Sequence, residues 1–515
     1  MTDLCVAIFV EDAAQVKRDV AKAAEAGADL VELRLDRLTE QEAAKAAVDA
    51  CILPCILTCR PTWEGGESVL SDSERIALLD YAAFGNARFI DLELDTYRRN
   101  PKFYSWAMGT IFSSHDFKGR PDRLYNNIIK EMNENSVGNV NKIVWAARSI
   151  RDNLEAFELI KSRQKPTIAL CMGEAGLISR VLTKKFGGHL TYAALETGGG
   201  TAPGQISIGD IKKLYRWDAI SASTKVYGVV GSPIMHSMSP AIHNAGFDAV
   251  GYDGIYLPML VEPGWESFKA FMETFVPFEG LDLSGLSVTI PHKENALRYL
   301  KEKGAEVEEL AEAIGAVNTI VIDRSGGEPK LRGFNTDYAA ILDSITARMG
   351  ISREELENYR VALIGAGGTG RTAVAALAHY GATVVVYNRT KERADALAKE
   401  FDGRVGKVVS ARLEKLCDSC CHIFINTTSV GMWPKVEESP IGDRPPKFES
   451  ETVVFDTIYN PMKTKLLQQA EEAGAKTIGG VEMFVRQAGG QFEAWTEREA
   501  PMKVMREVIE RRLNH

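Results

Sequence analysis

Residues 361–390 read VALIGAGGTGRTAVAALAHYGATVVVYNRT. The apolar run 361–364 predicts a buried strand, and a glycine turn, an alanine-rich helix and a second β-branched strand follow it. The glycines form the pattern GxGxxG between strand and helix, where backbone amides at the helix start can meet a pyrophosphate. A lone GxGxxG is weak, but this strand–turn–helix–strand context predicts a Rossmann-type α/β domain.

A different α/β pattern occupies the first 195 residues. Eight short apolar, β-rich runs alternate with helix-like stretches, and this alternation predicts an N-terminal (β/α)₈ TIM barrel. The predicted strands are 4–9, 29–36, 55–60, 88–94, 110–116, 142–147, 166–173 and 190–195. Charged residues fall in the middle or late part of several runs, and barrel active sites lie at that end of the strands.

Length and composition limit the classes of protein that fit. The 515 residues exceed what one hydrophobic core usually supports, so two or three domains are expected. A net charge of −9 without a basic stripe argues against nucleic-acid binding, and no apolar run approaches the roughly 20 residues that span a bilayer. The amino terminus MTDLCVAIFVEDAAQ lacks a basic segment before an apolar one, so a cytoplasmic location is expected.

The eight cysteines are too few for a disulfide scaffold in so long a chain and are expected to be reduced. Cys417, Cys420 and Cys421 have CxxC spacing, but no second CxxC or HxxxH supplies further zinc ligands. We expect no metal site, and semi-buried thiols before the next strand are the favoured interpretation.

Six motifs follow one another along the barrel: DLVELRLD, LTCRPTWEGG, SSHDF, NKIVWAA, MGEAGLISR and TAPGQ. In this order they resemble type I 3-dehydroquinate dehydratase. By the resemblance Lys142 forms a Schiff base, His115 is the general acid/base and Glu64 orients the histidine. The remaining predicted substrate-binding residues are Glu32, Arg34, Arg60, Arg180, Thr201 and Gln205, of which Arg180 and Gln205 are expected to hold the carboxylate.

The residue types suit this chemistry. A lysine amine condenses with a ketone, and the protonated imine acidifies the neighbouring carbon. A histidine can take that proton and return it to a leaving hydroxyl. Nearby arginines are expected to favour the neutral amine of Lys142.

Each of these residues viewed alone has a simpler interpretation. Lys142 at a strand start is more often a solvated lysine, and Arg34 with Asp36 could be a surface ion pair. Two departures from the family also stand out. Thr201 replaces the usual serine before APGQ, and Trp145, which alternates with Lys142 along the strand, could face the helical layer instead of the barrel interior.

Four segments follow the barrel: GVVGSPIMHSMSPAIHN (228–244), SVTIPHK (287–293), GAVNT (315–319) and GFNTD (333–337). Their order and spacing resemble shikimate dehydrogenase. The resemblance implies that Lys293 and Asp337 are the acid/base pair and that Tyr459 lies near the nicotinamide. The other substrate-binding residues that it implies are Ser237 and Ser239 for the carboxylate, and Thr289, Asn318 and Gln487 for hydroxyl groups. Thr289 or Asn318 alone could simply cap a strand end.

The end of the second strand, 383–387, indicates which cofactor binds. Asn388, Arg389 and Thr390 stand where an acidic residue would hold the ribose 2′-hydroxyl, whereas arginine accommodates a 2′-phosphate. NADP is therefore expected, and Arg393 one helical turn later supports it, although it could be an ordinary solvated side chain. The full predicted cofactor set is Gly365, Ala366, Gly367, Gly368, Gly370, Asn388, Arg389, Thr390, Arg393, Thr427 and Met432.

Together these resemblances predict a fused dehydratase and dehydrogenase of the plant type, acting on 3-dehydroquinate, 3-dehydroshikimate and shikimate. The predicted domains are the barrel 1–220, a substrate domain 224–340, an NADP domain 341–480 and C-terminal helices 481–515 that pack back on the substrate domain. A quinate dehydrogenase fused to the dehydratase is a competing hypothesis. A catalytically silent quinate-sensing regulator is another, although retention of His115, Lys142, Lys293 and Asp337 argues against it. Oligomeric state stays open.

The cofactor prediction can be tested at one residue. Arg389→Ala removes a charge-assisted contact to the 2′-phosphate, of about 1.5 to 3 kcal/mol, and should weaken NADPH binding roughly ten- to a hundredfold. NADH binding should change little, because NADH lacks that phosphate. Steady-state kinetics with both cofactors measures the difference, and efficient use of NADH by the wild type would contradict the assignment.

Overall fold

A computed structural model of the chain describes residues 2–101, 108–202, 204–403, 405–442 and 444–514. The chain divides into two compact units, Met1–Pro240 with Asp253–Leu283 and Ala241–Tyr252 with Ser284–His515. No helix in these described ranges has the length and apolar character needed to cross a membrane.

The first unit contains eight parallel strands with helices between them. The strands are β1 (Asp3–Phe9), β2 (Leu30–Arg34), β3 (Cys55–Thr58), β4 (Ala87–Glu93), β5 (Gly109–Asp116), β6 (Val140–Ala146), β7 (Thr167–Met172) and β8 (Leu190–Ala193). The helices are α1 (Ala13–Glu25), α2 (Gln41–Asp49), α3 (Asp72–Ala82), α4 (Leu94–Arg99), α5 (Lys130–Glu134), α6 (Asp152–Lys161) and α7 (Leu177–Leu182).

The strands follow the order β7-β6-β5-β4-β3-β2-β1-β8, and the amide of His189 beside β8 donates to the carbonyl of Thr167 in β7 (2.9 Å). The sheet therefore nearly closes on itself, and the predicted TIM barrel is confirmed. One boundary differs from the prediction. Strand β6 begins at Val140, so Lys142 is its third residue and not its first.

Alternation along the strands sorts the barrel interior into layers. Side chains near the strand starts form an apolar cluster that includes Leu30, Ile56, Ile111, Val140 and Leu190. Because successive side chains point to opposite faces, the residues two and four places later face the same interior. Those positions hold the polar residues Glu32, Arg34, Thr58, Arg60, Asp91, Glu93, Ser113, His115, Lys142 and Tyr192. The polar site thus rests on an apolar floor.

Two lysines fix the chain where it leaves the barrel. The ammonium of Lys184 donates to the carbonyl of Trp217 (2.8 Å), and that of Lys185 donates to the carbonyls of Ala222 and Thr224 (both 2.8 Å). Lys185 is buried. The segment 216–224 is therefore held in place within the first unit instead of forming a free tether.

Beyond this segment follow strands β9 (Lys225–Gly231), β10 (Gly254–Leu260), β11 (Leu283–Val288), β12 (Glu306–Val307), β13 (Thr319–Asp323) and β14 (Lys330–Phe334). The accompanying helices are α8 (Ser239–Ala249), α9 (Trp265–Phe275), α10 (Lys293–Glu302), α11 (Glu309–Ile314) and α12 (Thr336–Met349). Within the first unit β9 and β10 pair in parallel. Within the second unit β13 pairs antiparallel with β11 and β14, and β12 pairs in parallel with β14.

The second unit also contains an all-parallel sheet. Its strands are β15 (Arg360–Ile364), β16 (Thr383–Asn388), β17 (Val408–Arg412), β18 (Ile423–Asn426), β19 (Val453–Asp456) and β20 (Lys476–Ile478). The helices are α13 (Gly368–His379), α14 (Lys391–Phe401), α15 (Lys465–Glu472), α16 (Gly480–Thr496) and α17 (Met502–Leu513). The strands lie in the order β17-β16-β15-β18-β19-β20. The chain runs outward from β15 in one direction and then continues from β18 on the other side of β15, and ligands bind at such a switch point in the strand order.

Helix α16 packs on β11 and β13 through close contacts. The indole Nε1 of Trp495 donates to the carbonyl of Ile320 (3.1 Å), and Gln491 bonds with Ser287 (2.8 Å) and Thr319 (3.1 Å). The ring of Trp495 lies against Gly285, where a Cβ would come within 2.4 Å of Cδ1. Only glycine fits at this crossing.

Gly285→Ala should therefore destabilise the second unit. Overpacking of a tight core site costs about 1 to 3 kcal/mol, so the melting temperature should fall. Gly326→Ala is the matched control, since a Cβ there meets only Lys330 at 3.9 Å. Calorimetry of both variants checks the prediction, and equal melting temperatures would contradict it.

Candidate active sites

One cavity at the barrel mouth brings together all nine residues predicted for the first site. Its predicted lining residues are Glu32, Arg34, Arg60, Glu64, His115, Lys142, Arg180, Thr201 and Gln205. They reach the cavity from β2, β5, β6, α7 and the loops that follow β3 and β8. Tyr192 and Phe117, which sequence analysis did not single out, line it as well.

Lys142 is buried, and carboxylates are its closest polar partners. Its Nζ lies 2.8 Å from Asp91 Oδ2, 3.3 Å from Glu32 Oε1 and 4.4 Å from the centre of the Tyr192 ring. A buried ammonium requires such partners. Strands β2 and β4 place these two carboxylates beside the amine, and the arginines expected near it, Arg34, Arg60 and Arg180, line the same cavity.

Arg60 connects this layer to the next one. Its guanidinium donates to Asp91 (2.7 Å), Glu93 (2.9 Å) and Ser113 (2.7 Å). Burial works to raise the pKa of Asp91, but Arg60 and Lys142 outweigh it and hold that pKa well below its usual range. Asp91 is therefore a fixed anion that joins Arg60 to Lys142.

His115 and Glu64 form a buried pair. Glu64 Oε1 lies 2.9 Å from His115 Nδ1 and accepts the His115 backbone amide at 2.8 Å. Burial lowers the pKa of His115 well below its ordinary value, and the charges of Arg60 and Lys142 act in the same direction. Burial also raises the pKa of Glu64 to about 8, against the opposing charge of Arg60. The imidazole is thus neutral at neutral pH and oriented by its neighbour.

Arg180 carries a buried charge without a carboxylate. The residue is 2% exposed, its Nε has no hydrogen-bond partner, and burial lowers its pKa to about 10. Gln205 and Thr201 line the same cavity, and the backbone amide of Thr201 donates to Gln205 Oε1 (2.8 Å). A desolvated guanidinium beside a side-chain amide and a hydroxyl suits the planar oxygens of a carboxylate ligand.

Two questions left by the sequence are answered here. Arg34 and Asp36 form a buried pair, with Nη2 2.6 Å from Oδ2, and not a surface pair. Trp145 is fully buried, whereas Lys142 and Val144 line the cavity. The strand alternation places Trp145 on the opposite face, toward the helices.

A second cluster lies in the second unit. Lys293, the first residue of α10, places Nζ 2.6 Å from Asp337 Oδ2 in the first turn of α12. The side chain of Asn335 caps that helix by accepting the amide of Asp337 (3.1 Å). Buried Asn318 accepts the amide of Thr336 (2.9 Å) with its side-chain oxygen. The predicted acid/base pair is thus fixed at a helix terminus beside Asn318.

The other predicted substrate residues lie on several elements. In the first unit the amide of Ser239 donates to Ser237 Oγ (3.2 Å). In the second unit Thr289 directly follows β11, and Gln487 lies on α16. Tyr459 is half-buried, its ring centre is 5.1 Å from that of Phe484 on α16, and burial raises its pKa.

The glycine turn after β15 fits a pyrophosphate. Gly365 has a φ of +111°, and a Cβ at Gly370 would lie 2.4 Å from the carbonyl of Gly365. A Cβ at Gly367 or Gly368 meets nothing within 4 Å, so open space lies beside the first amides of α13. The crowded glycines allow the turn, and the open ones leave room for a phosphate group.

The remaining predicted cofactor residues flank this turn. The amide of Ala366 donates to Asn388 Oδ1 (3.3 Å), and Asn388 Nδ2 donates to the carbonyl of Thr390 (2.7 Å). Thr427 Oγ1 donates to the carbonyl of Ile364 (2.9 Å). The exposed members of the predicted set are Gly367, Gly368, Arg389, Thr390, Arg393 and Met432. This arrangement leaves two guanidinium groups in solvent past the end of β16, where a 2′-phosphate would lie.

Four protein families match consecutive parts of the chain. Residues 4–222 match type I 3-dehydroquinase, and residues 229–320 match the shikimate dehydrogenase substrate binding domain. Residues 347–463 match shikimate / quinate 5-dehydrogenase, and residues 480–510 match the shikimate 5′-dehydrogenase C-terminal domain.

The bifunctional 3-dehydroquinate dehydratase/shikimate dehydrogenase of Arabidopsis thaliana, a chloroplastic protein, is 37% identical over 98% of this chain and 84% of its own. This chain belongs to that bifunctional family. The NADP⁺ shikimate dehydrogenase of Methanosarcina barkeri is 38% identical over 55% of this chain and 97% of its own. A crystal structure of a shikimate dehydrogenase with NADP⁺ covers 57% of this chain and 97% of its own, at 34% identity and a TM-score of 0.50.

Membership confirms the predicted fusion, the two reactions and NADP as the cofactor. Sequence analysis missed Ser113 and Tyr192 as parts of the first site, and it placed Asp91 at the active-site end of the barrel without assigning it a role. The signal was present, since Asp91 and Glu93 alternate with apolar residues in the strand sequence FIDLEL. Charged residues at alternate positions of a barrel strand point into its interior.

The cysteine cluster shows no metal-binding geometry. Among the described residues no group of three His, Cys, Asp or Glu side chains could hold a metal ion. Cys421 is buried and receives a hydrogen bond from Ser419 (3.1 Å), and burial raises its pKa.

The lowered pKa of His115 predicts the pH dependence of dehydration. The histidine stays neutral, and so able to accept a proton, down to pH values below the ordinary histidine pKa of about 6.5. Half of the dehydratase kcat/KM should therefore be lost only below about pH 6.5. Shikimate oxidation at each pH serves as the control for folding, and a midpoint at or above the ordinary value would contradict the prediction.

Proposed function

We propose that the residues gathered at the barrel mouth carry the dehydration of 3-dehydroquinate to 3-dehydroshikimate. The single observation that best supports this assignment is the contact of one buried lysine, one neutral histidine and one unpaired arginine with the same cavity. After its ammonium loses a proton, the amine of Lys142 attacks the substrate ketone, and the resulting carbinolamine loses water to form the protonated imine. The imine acidifies the adjacent carbon.

His115 then performs both proton transfers. Its neutral ring accepts the proton from the carbon beside the imine, and the new imidazolium returns a proton to the departing hydroxyl, which leaves as water. In the tautomer that accepts this proton, Nδ1–H donates to the ionised carboxylate of Glu64, and Nε2 is the nitrogen left for the substrate. Hydrolysis of the imine frees the enone and restores the amine of Lys142.

Arg180, Gln205 and Thr201 hold the substrate carboxylate in this proposal. The desolvated charge of Arg180 and its missing partner support the assignment, because a carboxylate would supply both the hydrogen bonds and the counter-charge. Glu32, Arg34 and Arg60 bind ring hydroxyls and set the field around Lys142. Thr201 keeps the hydroxyl that serine usually supplies in the family.

The second reaction reduces 3-dehydroshikimate to shikimate, for which NADPH supplies the hydride. Lys293 delivers a proton to the carbonyl oxygen, and Asp337 at 2.6 Å stabilises the ammonium. Ser237 and Ser239 bind the carboxylate, while Thr289, Asn318 and Gln487 bind hydroxyls. Tyr459 lies beside the nicotinamide. The glycine turn holds the pyrophosphate, and Arg389 and Arg393 hold the 2′-phosphate.

A quinate dehydrogenase is the second candidate for this half, because the family matched by residues 347–463 includes both substrates by name. Ser239 and Thr289 match the shikimate type and favour the first candidate. Comparing kcat/KM for shikimate and quinate decides between them. A silent regulator is disfavoured, since both proton-transfer pairs are intact. The predicted domain limits, a cytoplasmic location and the absence of nucleic-acid partners stay predictions.

The role of Lys142 can be tested by chemical trapping. Borohydride added during turnover of 3-dehydroquinate should reduce the imine and fix the ligand on Lys142 alone, as mapped by peptide mass spectrometry. Lys142→Ala should abolish labelling and dehydration but leave shikimate oxidation intact. Lys293→Ala is the matched variant, with the opposite pattern of losses. An adduct on Lys165 or Lys184, or continued dehydration by Lys142→Ala, would overturn the assignment.

A further inference from the structure

A buried carboxylate that neither reaction uses lies at the end of β19. Asp456 is fully buried and its oxygens accept three hydrogen bonds. Oδ1 accepts from Asn426 Nδ2 (3.0 Å) and from the amide of Ile458 (3.1 Å), and Oδ2 accepts from Thr464 Oγ1 (2.7 Å). These donors belong to three different segments, so one side chain joins them.

The first segment leads to the cofactor turn. Asn426 ends β18, and its side-chain oxygen accepts both the amide (3.0 Å) and the hydroxyl (2.7 Å) of Thr428. Thr427 and Thr428 in turn pack against Gly365, where a Cβ would lie 2.7 Å from Thr427 Oγ1 and 2.9 Å from Thr428 Cγ2. Asp456 thus acts on the glycine turn through Asn426.

The second segment leads to Tyr459. The bond from Asp456 to the Ile458 amide fixes the residue next to Tyr459, and Thr457 Oγ1 donates to the carbonyl of Asn426 (2.9 Å). The third donor, Thr464, caps α15 by accepting the amide of Leu467 (3.4 Å). The loop that carries Tyr459 is therefore held at both ends by the same carboxylate.

We propose that Asp456 is the positioning residue that fixes the cofactor turn and the Tyr459 loop relative to each other for hydride transfer. It touches neither ligand and acts through Asn426, Ile458 and Thr464. The inference rests on the proposed placement of the pyrophosphate at Gly365–Gly370 and of Tyr459 beside the nicotinamide. The proposal adds Asp456 to the residues that the sequence motifs assigned to this site.

The geometry explains why a carboxyl or amide is needed at this position. Each carboxylate oxygen accepts a hydrogen bond, and no cation contributes to the electrostatics of Asp456. Burial raises the pKa of Asp456 to about 6, and the hydrogen bonds oppose that shift. An asparagine keeps the Oδ1 acceptor for Asn426 and Ile458, and its amide can donate to the Thr464 hydroxyl instead. An alanine removes the acceptor of the Ile458 amide and the Thr464 hydroxyl, and leaves Asn426 Nδ2 only the longer bond to the carbonyl of Val430 (3.4 Å).

The test compares Asp456→Ala with Asp456→Asn. Fluorescence titration should give an NADPH Kd about tenfold weaker for the alanine variant and within about threefold of wild type for the asparagine variant. At saturating NADPH, the dehydrogenase kcat of the alanine variant should fall by a smaller factor than its NADPH Kd rises. The rate of dehydration in the barrel should be unchanged. Glu471→Gln, which removes an acidic charge from α15 at a partly exposed ion pair, is the control.

An unchanged NADPH Kd in folded Asp456→Ala would overturn the proposal, as would equal losses in the alanine and asparagine variants. If the alanine variant does not fold, Thr464→Val removes one donor and should weaken NADPH binding in the same direction; an unchanged Kd would then overturn the proposal. A failure of the proposed function would be distinguishable from a failure of this proposal. Wild-type protein that binds NADPH but does not oxidise shikimate would contradict the proposed reaction, not the positioning role of Asp456.

Discussion

The barrel site depends on ion pairs between buried side chains of opposite charge. Asp91 accepts hydrogen bonds from both Arg60 and Lys142, and Glu93 accepts a second one from Arg60. Isolated, each of these ions would be too costly to bury. The strand alternation that brings them into adjacent layers is thus the condition for a polar site inside an otherwise apolar barrel.

The two halves solve the problem of positioning a lysine differently. Lys142 projects from the middle of a barrel strand and is fixed by two buried carboxylates. Lys293 begins a helix, is partly exposed, and is held by one carboxylate from another helix start. For the proposed reactions, the first arrangement would shield the lysine that forms the imine from water, whereas the second would leave the proton donor accessible to the substrate.

Most of the fold followed from local patterns. The βα alternation and the GxGxxG turn predicted the barrel and the Rossmann-type sheet, because parallel strands and glycine turns have strong local signatures. The surroundings of Lys142 could not be read in the same way. Which carboxylates reach it depends on the register of β2, β4 and β6, and Asp91 lies 51 residues from Lys142 along the chain. The three-segment role of Asp456 is likewise a tertiary property.

The unpaired charge of Arg180 makes the stability of the folded barrel depend on ligand binding. A buried guanidinium without a carboxylate partner destabilises the ligand-free state, and the carboxylate of the proposed substrate would remove that penalty only in the folded protein. Unfolding then becomes harder as the concentration of the bound acid rises above its Kd. A saturating concentration of this acid would therefore protect the folded barrel against thermal unfolding.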